Sequence, residues 1–122
     1  MNDLRYQVEV TAKPTYKGQQ NGHYAFVYEI SIHNAGSFSA QLLNRHWLIT
    51  DGNGKTEEVK GPGVIGEQPV LVPGDTYTYT SGALLKTEVG SMRGQFEMQA
   101  DDGHRFMAPI RAFTLAVPGA LN

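Results

Sequence analysis

The run Gly61-Pro62-Gly63-Val64-Ile65-Gly66 has the spacing G-x-G-x-x-G. In dinucleotide-binding proteins that spacing lets a tight glycine turn bring a pyrophosphate to a helix N-terminus, whose free amides and dipole hold the anion. Here the next residues, Glu67-Gln68-Pro69-Val70-Leu71-Val72-Pro73, cannot begin a helix, because Pro69 and Pro73 interrupt it and the apolar residues favour strand. A Rossmann site is excluded on that ground. What stays open is a nest of backbone amides at Gly61, Gly63 and Gly66 that holds phosphate, with the neighbouring Glu67 repelling the anion unless a cation intervenes. The plainer and stronger reading is a loop crossing between sheets, in which glycine supplies a demanding backbone shape.

No two of the histidines, at positions 23, 33, 46 and 104, have the close i, i+2 or i, i+4 spacing that, with a carboxylate, would signal a zinc or iron site. Asp101, Asp102 and His104 form a weak candidate for Mg²⁺ or Co²⁺, although an Asp-Gly hairpin turn explains them without metal. Asp51-Gly52-Asn53-Gly54 lacks the glutamate that closes a calcium loop. Nucleophilic chemistry has no support: the chain has no cysteine, no G-x-S-x-G elbow and no G-x-x-x-x-G-K-[ST] loop. Arg45 and His46 are strand neighbours aimed at opposite faces. Arg45 instead shares a face with Trp47 and can lay its guanidinium near an aromatic ring. Tyr77 and Tyr79 share a face too, but without the basic groove of a single-strand binder, so core packing is their better reading.

These residues must be positioned by strands. Tyr24 to His33 places Phe26, Tyr28, Ile30 and Ile32 on one face and Glu29, Ser31 and His33 on the other, a half-buried antiparallel strand. Further strands are expected over Leu4–Lys13, stopping at Pro14, and over Gln41–Thr50, Lys55–Val59, Val70–Val72, Thr76–Thr80, Met92–Ala100 and Arg105–Leu115. Turns fall at Asp51–Gly54, Pro73-Gly74-Asp75 and Asp102-Gly103. Within Gln41–Thr50 the alternation is ambiguous, since Leu43/Trp47/Ile49 and Leu42/Leu48 both look apolar; the Trp47 face is taken as inward. Gly82 is expected to open a loop through Gly90 that exposes Leu84 and Leu85 as a docking patch for another protein, or folds back on the core. The pattern predicts an all-β, immunoglobulin-like or fibronectin type III-like sandwich of seven to eight antiparallel strands, forming one domain over residues 1–122.

Composition agrees with a globular domain: of 122 residues, 40% are hydrophobic and 18% charged. A net charge of −2 gives no pull toward nucleic acid or anionic lipid. No stretch approaches the ~20 apolar residues of a membrane span, and Met1-Asn2-Asp3-Leu4-Arg5 has no secretory character. A cytoplasmic protein is the expectation.

Several runs resemble the bacterial ApaG proteins: Arg45-His46-Trp47-Leu48-Ile49-Thr50-Asp51-Gly52-Asn53-Gly54, Val59 to Pro69, Tyr79-Thr80-Ser81-Gly82 and Pro109-Ile110-Arg111-Ala112-Phe113. The chain departs from the pattern in having Ala83-Leu84-Leu85 where many members have Cys-Pro-Leu, and Arg111-Ala112 where many have a double proline. The resemblance implies a fibronectin type III-like sandwich and a link to cobalt and magnesium homeostasis. It further implies a gene neighbouring that of a diadenosine-tetraphosphate hydrolase. Similar domains serve as modules inside eukaryotic F-box and DNA-polymerase-interacting proteins. The expected function is therefore a non-enzymatic module, without cofactor, that binds a partner protein through loops and an exposed sheet edge, as a monomer or an edge-paired homodimer. The alternative is a small-ligand sensor for pyrophosphate, a dinucleoside polyphosphate or a divalent cation at Gly61–Gly66.

Overall fold

The computed structural model describes residues 3–121. Eight strands run β1 (Val8–Gln20), β2 (His23–Asn34), β3 (Ala40–Asp51), β4 (Thr56–Pro62), β5 (Val70–Leu71), β6 (Thr76–Leu85), β7 (Val89–Ala100) and β8 (Arg105–Ala116). They form a three-stranded sheet, β1-β2-β6, facing a five-stranded one, β4-β3-β7-β8 with β5 also on β3, and all pairing is antiparallel. Among the described residues no helix is long and apolar enough to cross a membrane.

Period-2 alternation builds the core. Phe26, Tyr28, Ile30 and Ile32 of β2 meet Trp47, Met92, Phe96, Met98 and Ile110 of the facing sheet. Trp47 stands edge-on to Phe96 and Phe113, with ring centroids 6.2 and 6.0 Å away, and tilts over Tyr28 at 5.6 Å. The ambiguity in β3 is resolved by a β-bulge: Leu42 opposes Met98 and Asn44 opposes Glu97, leaving Leu43 as the extra residue. Leu42 faces inward before the bulge and Trp47 after it, so both are buried although five positions apart. A second bulge sets Arg111 and Ala112 of β8 against Arg93 alone, which keeps Ile110 and Phe113 both inward.

Two expected boundaries are corrected. The first strand starts at Val8 and passes through Pro14 to Gln20. It does so because β1 is an edge strand, where proline's missing donor is tolerated, and because Asn21-Gly22, with positive φ at both residues, closes its hairpin with β2. The expected loop from Gly82 to Gly90 is mostly strand: β6 continues to Leu85 on its pairing with β2, and β7 begins at Val89.

Asn34, at the end of β2, is buried and fully partnered. Its Nδ2 donates to the carbonyls of Phe38 and Leu71, each at 2.9 Å, and its Oδ1 accepts from the Gly36 amide at 2.9 Å. One side chain thus pins β5 and the β2–β3 connection to the end of the sandwich. Asn34→Ala strands those buried backbone groups and is expected to cost about 2–4 kcal/mol; a urea unfolding midpoint unchanged from wild type would contradict this.

Candidate functional site

The two long sides of the sandwich differ. On one, β1 runs beside β8; on the other, β4 and β6 stand apart and leave a cleft between the sheets. The cleft encloses about 290 Å³ and is walled by Tyr28, Trp47 and Tyr79, with Val64 and Ile65 at one end. Arg45 reaches it from β3, its Nη1 donating to the carbonyls of Pro62 at 2.8 Å and Gly63 at 3.1 Å. The guanidinium therefore sits on loop carbonyls rather than on an aromatic face as expected. A neighbouring hollow of about 410 Å³, lined by His23, Lys55, Glu57, Leu84 and Lys86, continues along the same side.

Each glycine of the G-x-G-x-x-G run has its own steric reason. A Cβ on Gly61 would lie 3.0 Å from both terminal nitrogens of Arg45. Gly63 has φ +62°, and a Cβ there would overlap the carbonyl oxygen of Glu67. Gly66 has φ +74° as the second central residue of the tight turn Val64-Ile65-Gly66-Glu67. The amide of Gly63 donates to Leu43 O at 2.8 Å, that of Val64 to Glu67 O at 2.8 Å, and that of Glu67 to Val64 O at 2.9 Å. A phosphate nest needs consecutive free amides, and at positions 63, 64 and 67 they are engaged within the protein.

The other candidate residues separate. Leu84 is 54% exposed on the outer face of β6, but Leu85 is only 3% exposed. Strand alternation turns Leu85 into the core, which corrects its assignment to a docking surface. Asp101, Asp102 and His104 do lie together at the β7–β8 turn, but the side chains of Asp102 and His104 are engaged locally. Asp102 Oδ1 accepts the His104 amide at 3.0 Å, Asp102 Oδ2 accepts the Tyr6 hydroxyl, and the His104 ring stacks on Tyr6 with centroids 4.2 Å apart. Among the described residues no group of three or more His, Asp or Glu side chains is arranged to hold a metal ion. Tyr6, reading from sequence as a strand residue, is instead the clamp that fastens the N-terminal segment to this hairpin. His46 pairs with Glu58 across β3 and β4 at 2.8 Å, and His33 bonds Thr76 Oγ1 at 2.9 Å.

Residues 14–100 match the ApaG domain family. The chain is 53% identical over 126 residues to Protein ApaG of Azotobacter vinelandii, covering 100% of both chains. It is 54% identical over 125 residues to Protein ApaG of Xanthomonas oryzae pv. oryzae, covering 99% of this chain and 98% of that one. The chain belongs to the ApaG family. A crystal structure named for the ApaA protein of Bordetella pertussis superposes with a TM-score of 0.90 at 43% identity, covering 94% of this chain and 97% of that one. Both departures from the ApaG pattern fall where the fold tolerates them. Arg111-Ala112 form the β8 bulge on an edge strand, the setting in which strand prolines are found. Ala83 lies on the inner, half-buried face of β6.

Sequence reasoning passed over Asn34, Tyr6 and the buried hydroxyl of Tyr79. Only the Tyr77/Tyr79 alternation pointed toward the last. Two outcomes follow from the loop and the clamp. Gly63→Ala adds a backbone overlap to an unfavourable φ, whereas Gly66→Ala meets open space at its positive φ and costs only the left-handed penalty of about 1–2 kcal/mol. Gly63→Ala should therefore lower the unfolding midpoint clearly more than Gly66→Ala; equal effects would mean that the Glu67 carbonyl moves aside freely. At Asp102, the hydrogen bond from Tyr6, and next the one from the His104 amide, hold the carboxyl below its ordinary range, and Arg5 holds Asp3 at about 2. A depressed folded-state value stabilises the clamp above the unfolded carboxylate range near ~4 and is lost as pH falls through the folded value. The Tyr6 ring signals should accordingly shift as pH falls below about 4, and in Tyr6→Phe the carboxyl resonance of Asp102 should titrate at higher pH than in wild type.

Proposed function

We propose that this protein is a non-enzymatic docking module that takes an extended segment of a partner protein as an added strand on β6. The observation that carries this is the unequal protection of the sheet edges. A bare edge offers unpaired N–H and C=O groups, and proteins guard such edges with charge, proline, bulges or brevity. β1 has Lys13, Pro14, Lys17 and a bulge between Tyr16 and Gly18. β4 has Glu57, Glu58, Lys60 and Pro62. β8 has Arg105, Pro109, Arg111 and a bulge, and β5 is two residues long. β6, Thr76-Tyr77-Thr78-Tyr79-Thr80-Ser81-Gly82-Ala83-Leu84-Leu85, has ten residues, no charge, no proline and an unbroken register on β2. It also borders the open side of the sandwich, where Tyr79, Ser81 and Gly82 line the cleft and, among the described residues, no strand other than β2 is paired to it.

A partner strand on β6 gains main-chain hydrogen bonds for affinity, with side-chain contacts at Leu84 and in the adjoining hollow for selectivity. The protein works in the cytoplasm in this reading. Its family's implied tie to cobalt and magnesium homeostasis runs through the partner rather than through a metal held here. The test is a photocrosslinking amino acid at position 80, exposed on β6, against the same group at position 111 on guarded β8. Position 80 should yield an adduct with a distinct protein in the native cell and position 111 should not. Adducts at neither position, or at both alike, would refute strand addition on β6; an adduct of twice the protein's own mass would make the occupant a second copy.

A further inference from the structure

The cleft beside β6 gathers three departures from a relaxed protein interior. The first is Tyr79: its side chain is 9% exposed, its hydroxyl is shielded from solvent, and no protein atom partners that hydroxyl. Buried polar atoms are nearly always bonded, because an unpaired one forfeits its hydration without return. Burial, with the nearby Tyr28, raises the phenol's pKa, so it stays a neutral donor. The second is Arg45, a cation on the inner side of β3 that lines the same cleft and acts electrostatically on Tyr79. Only its Nη1 is engaged, on two loop carbonyls, so a fixed guanidinium retains further donors. The third is Ile65, a β-branched residue at φ +47° and 60% exposed, at the end of the cleft. A residue branched at Cβ is a strained choice there, and such strain concentrates at ligand sites.

From this convergence we infer that the cleft is a binding site for a small aromatic carboxylate. Tyr28, Trp47 and Tyr79 make the lining aromatic, and the donors of Arg45 and Tyr79 suit a planar anionic acceptor. A volume of about 290 Å³ lies at the small end of ligand pockets, which limits the occupant to roughly one ring with its acid group. Ile65, apolar and largely exposed, lines the same cleft and adds an apolar contact for the ring. This site rests on observations other than those for strand addition, although Tyr79, Ser81 and Gly82 of β6 line it.

The experiment is an amide and indole ¹H–¹⁵N NMR titration of the full chain with phenylacetate, with phenylacetamide, and with N-acetylphenylalanine as a mimic of a peptide C-terminus. Phenylacetate should give saturable shifts centred on the Trp47 indole, Gly63, Val64 and Tyr79, with the neutral amide weaker by about tenfold or more. Comparable binding of N-acetylphenylalanine would assign the same chemistry to a chain terminus instead of a free acid. Tyr79→Phe should weaken phenylacetate binding by about tenfold while raising the ligand-free unfolding temperature, because it deletes an unpartnered hydroxyl and keeps the ring. Ile65→Asn, which suits the left-handed turn position, should likewise raise that temperature while weakening binding. No saturable shift at about 10 mM phenylacetate, equal affinity for the amide, or a lower unfolding temperature for Tyr79→Phe would each overturn the inference. None of these readouts depends on a partner protein, so their failure leaves the β6 result to stand or fall separately.

Discussion

The extra residue at Leu43 is the constraint on which the rest of the molecule depends. By inserting one position into β3, it changes which side chains face inward halfway along the strand. Without it, a strand that buries Leu42 would turn Trp47 and Arg45 outward. The bulge also frees the Leu43 carbonyl from the β7 ladder and directs it at the chain that returns after β4. That oxygen accepts from the Gly63 amide at 2.8 Å and from Gln68 Nε2 at 2.9 Å. The glycine-rich loop is therefore hung from the bulge, and Arg45, two residues on, grips the loop from below through the Pro62 and Gly63 carbonyls. Buried aromatic packing, loop position and the placement of the cleft's cation all follow from one irregularity in strand pairing.

The sandwich is correspondingly lopsided. Where β1 meets β8, side chains such as Val8, Val10 and Phe106 cover the core. Opposite, the cleft is lined by the rings of Tyr28, Trp47 and Tyr79, by Ile49 and Val59, and by Val64 and Ile65 of the loop. Such a side is poor in packing and rich in polar atoms near apolar walls, which is the usual composition of a recognition surface and not of a stabilising one. Stability is supplied elsewhere, by the Trp47 cluster in the middle and by the Asn34 peg at the end.

The sandwich fold, the orientation of Trp47 and the turns at Asp51–Gly54 and Asp102-Gly103 were legible in the sequence because each rests on a local rule: alternation, or a residue type that tolerates positive φ. Pro14 misled because a breaker's effect depends on whether its strand is an edge, which local sequence does not state. Leu85 misled because glycine at position 82 suggested a loop, while the pairing with β2 carried the strand onward. The glycine motif, expected to cross between sheets, stays on one, since β4 before it and β5 after it both pair with β3; the guanidinium that packs over Gly61 and the carbonyl that crowds Gly63 belong to distant contacts that spacing does not state. Tyr79 shows the limit most clearly. Alternation put it inside, but that its hydroxyl would find no partner there depends on all the surrounding elements at once.

The ladder that creates the unguarded edge joins distant parts of the chain. Ser31 on β2 meets Thr78 on β6 across 47 positions, while β1–β2, β3–β4 and β7–β8 are hairpins between neighbours. Closing so long a loop is entropically expensive, so pairings of that kind form late. β6 thus presents its flat, addressable rim only when β2, far back along the chain, has paired with it. A ligand for that rim sees the native molecule alone, and its binding would draw the folding equilibrium toward the finished sandwich by mass action. The docking surface in that sense doubles as a certificate of completed folding.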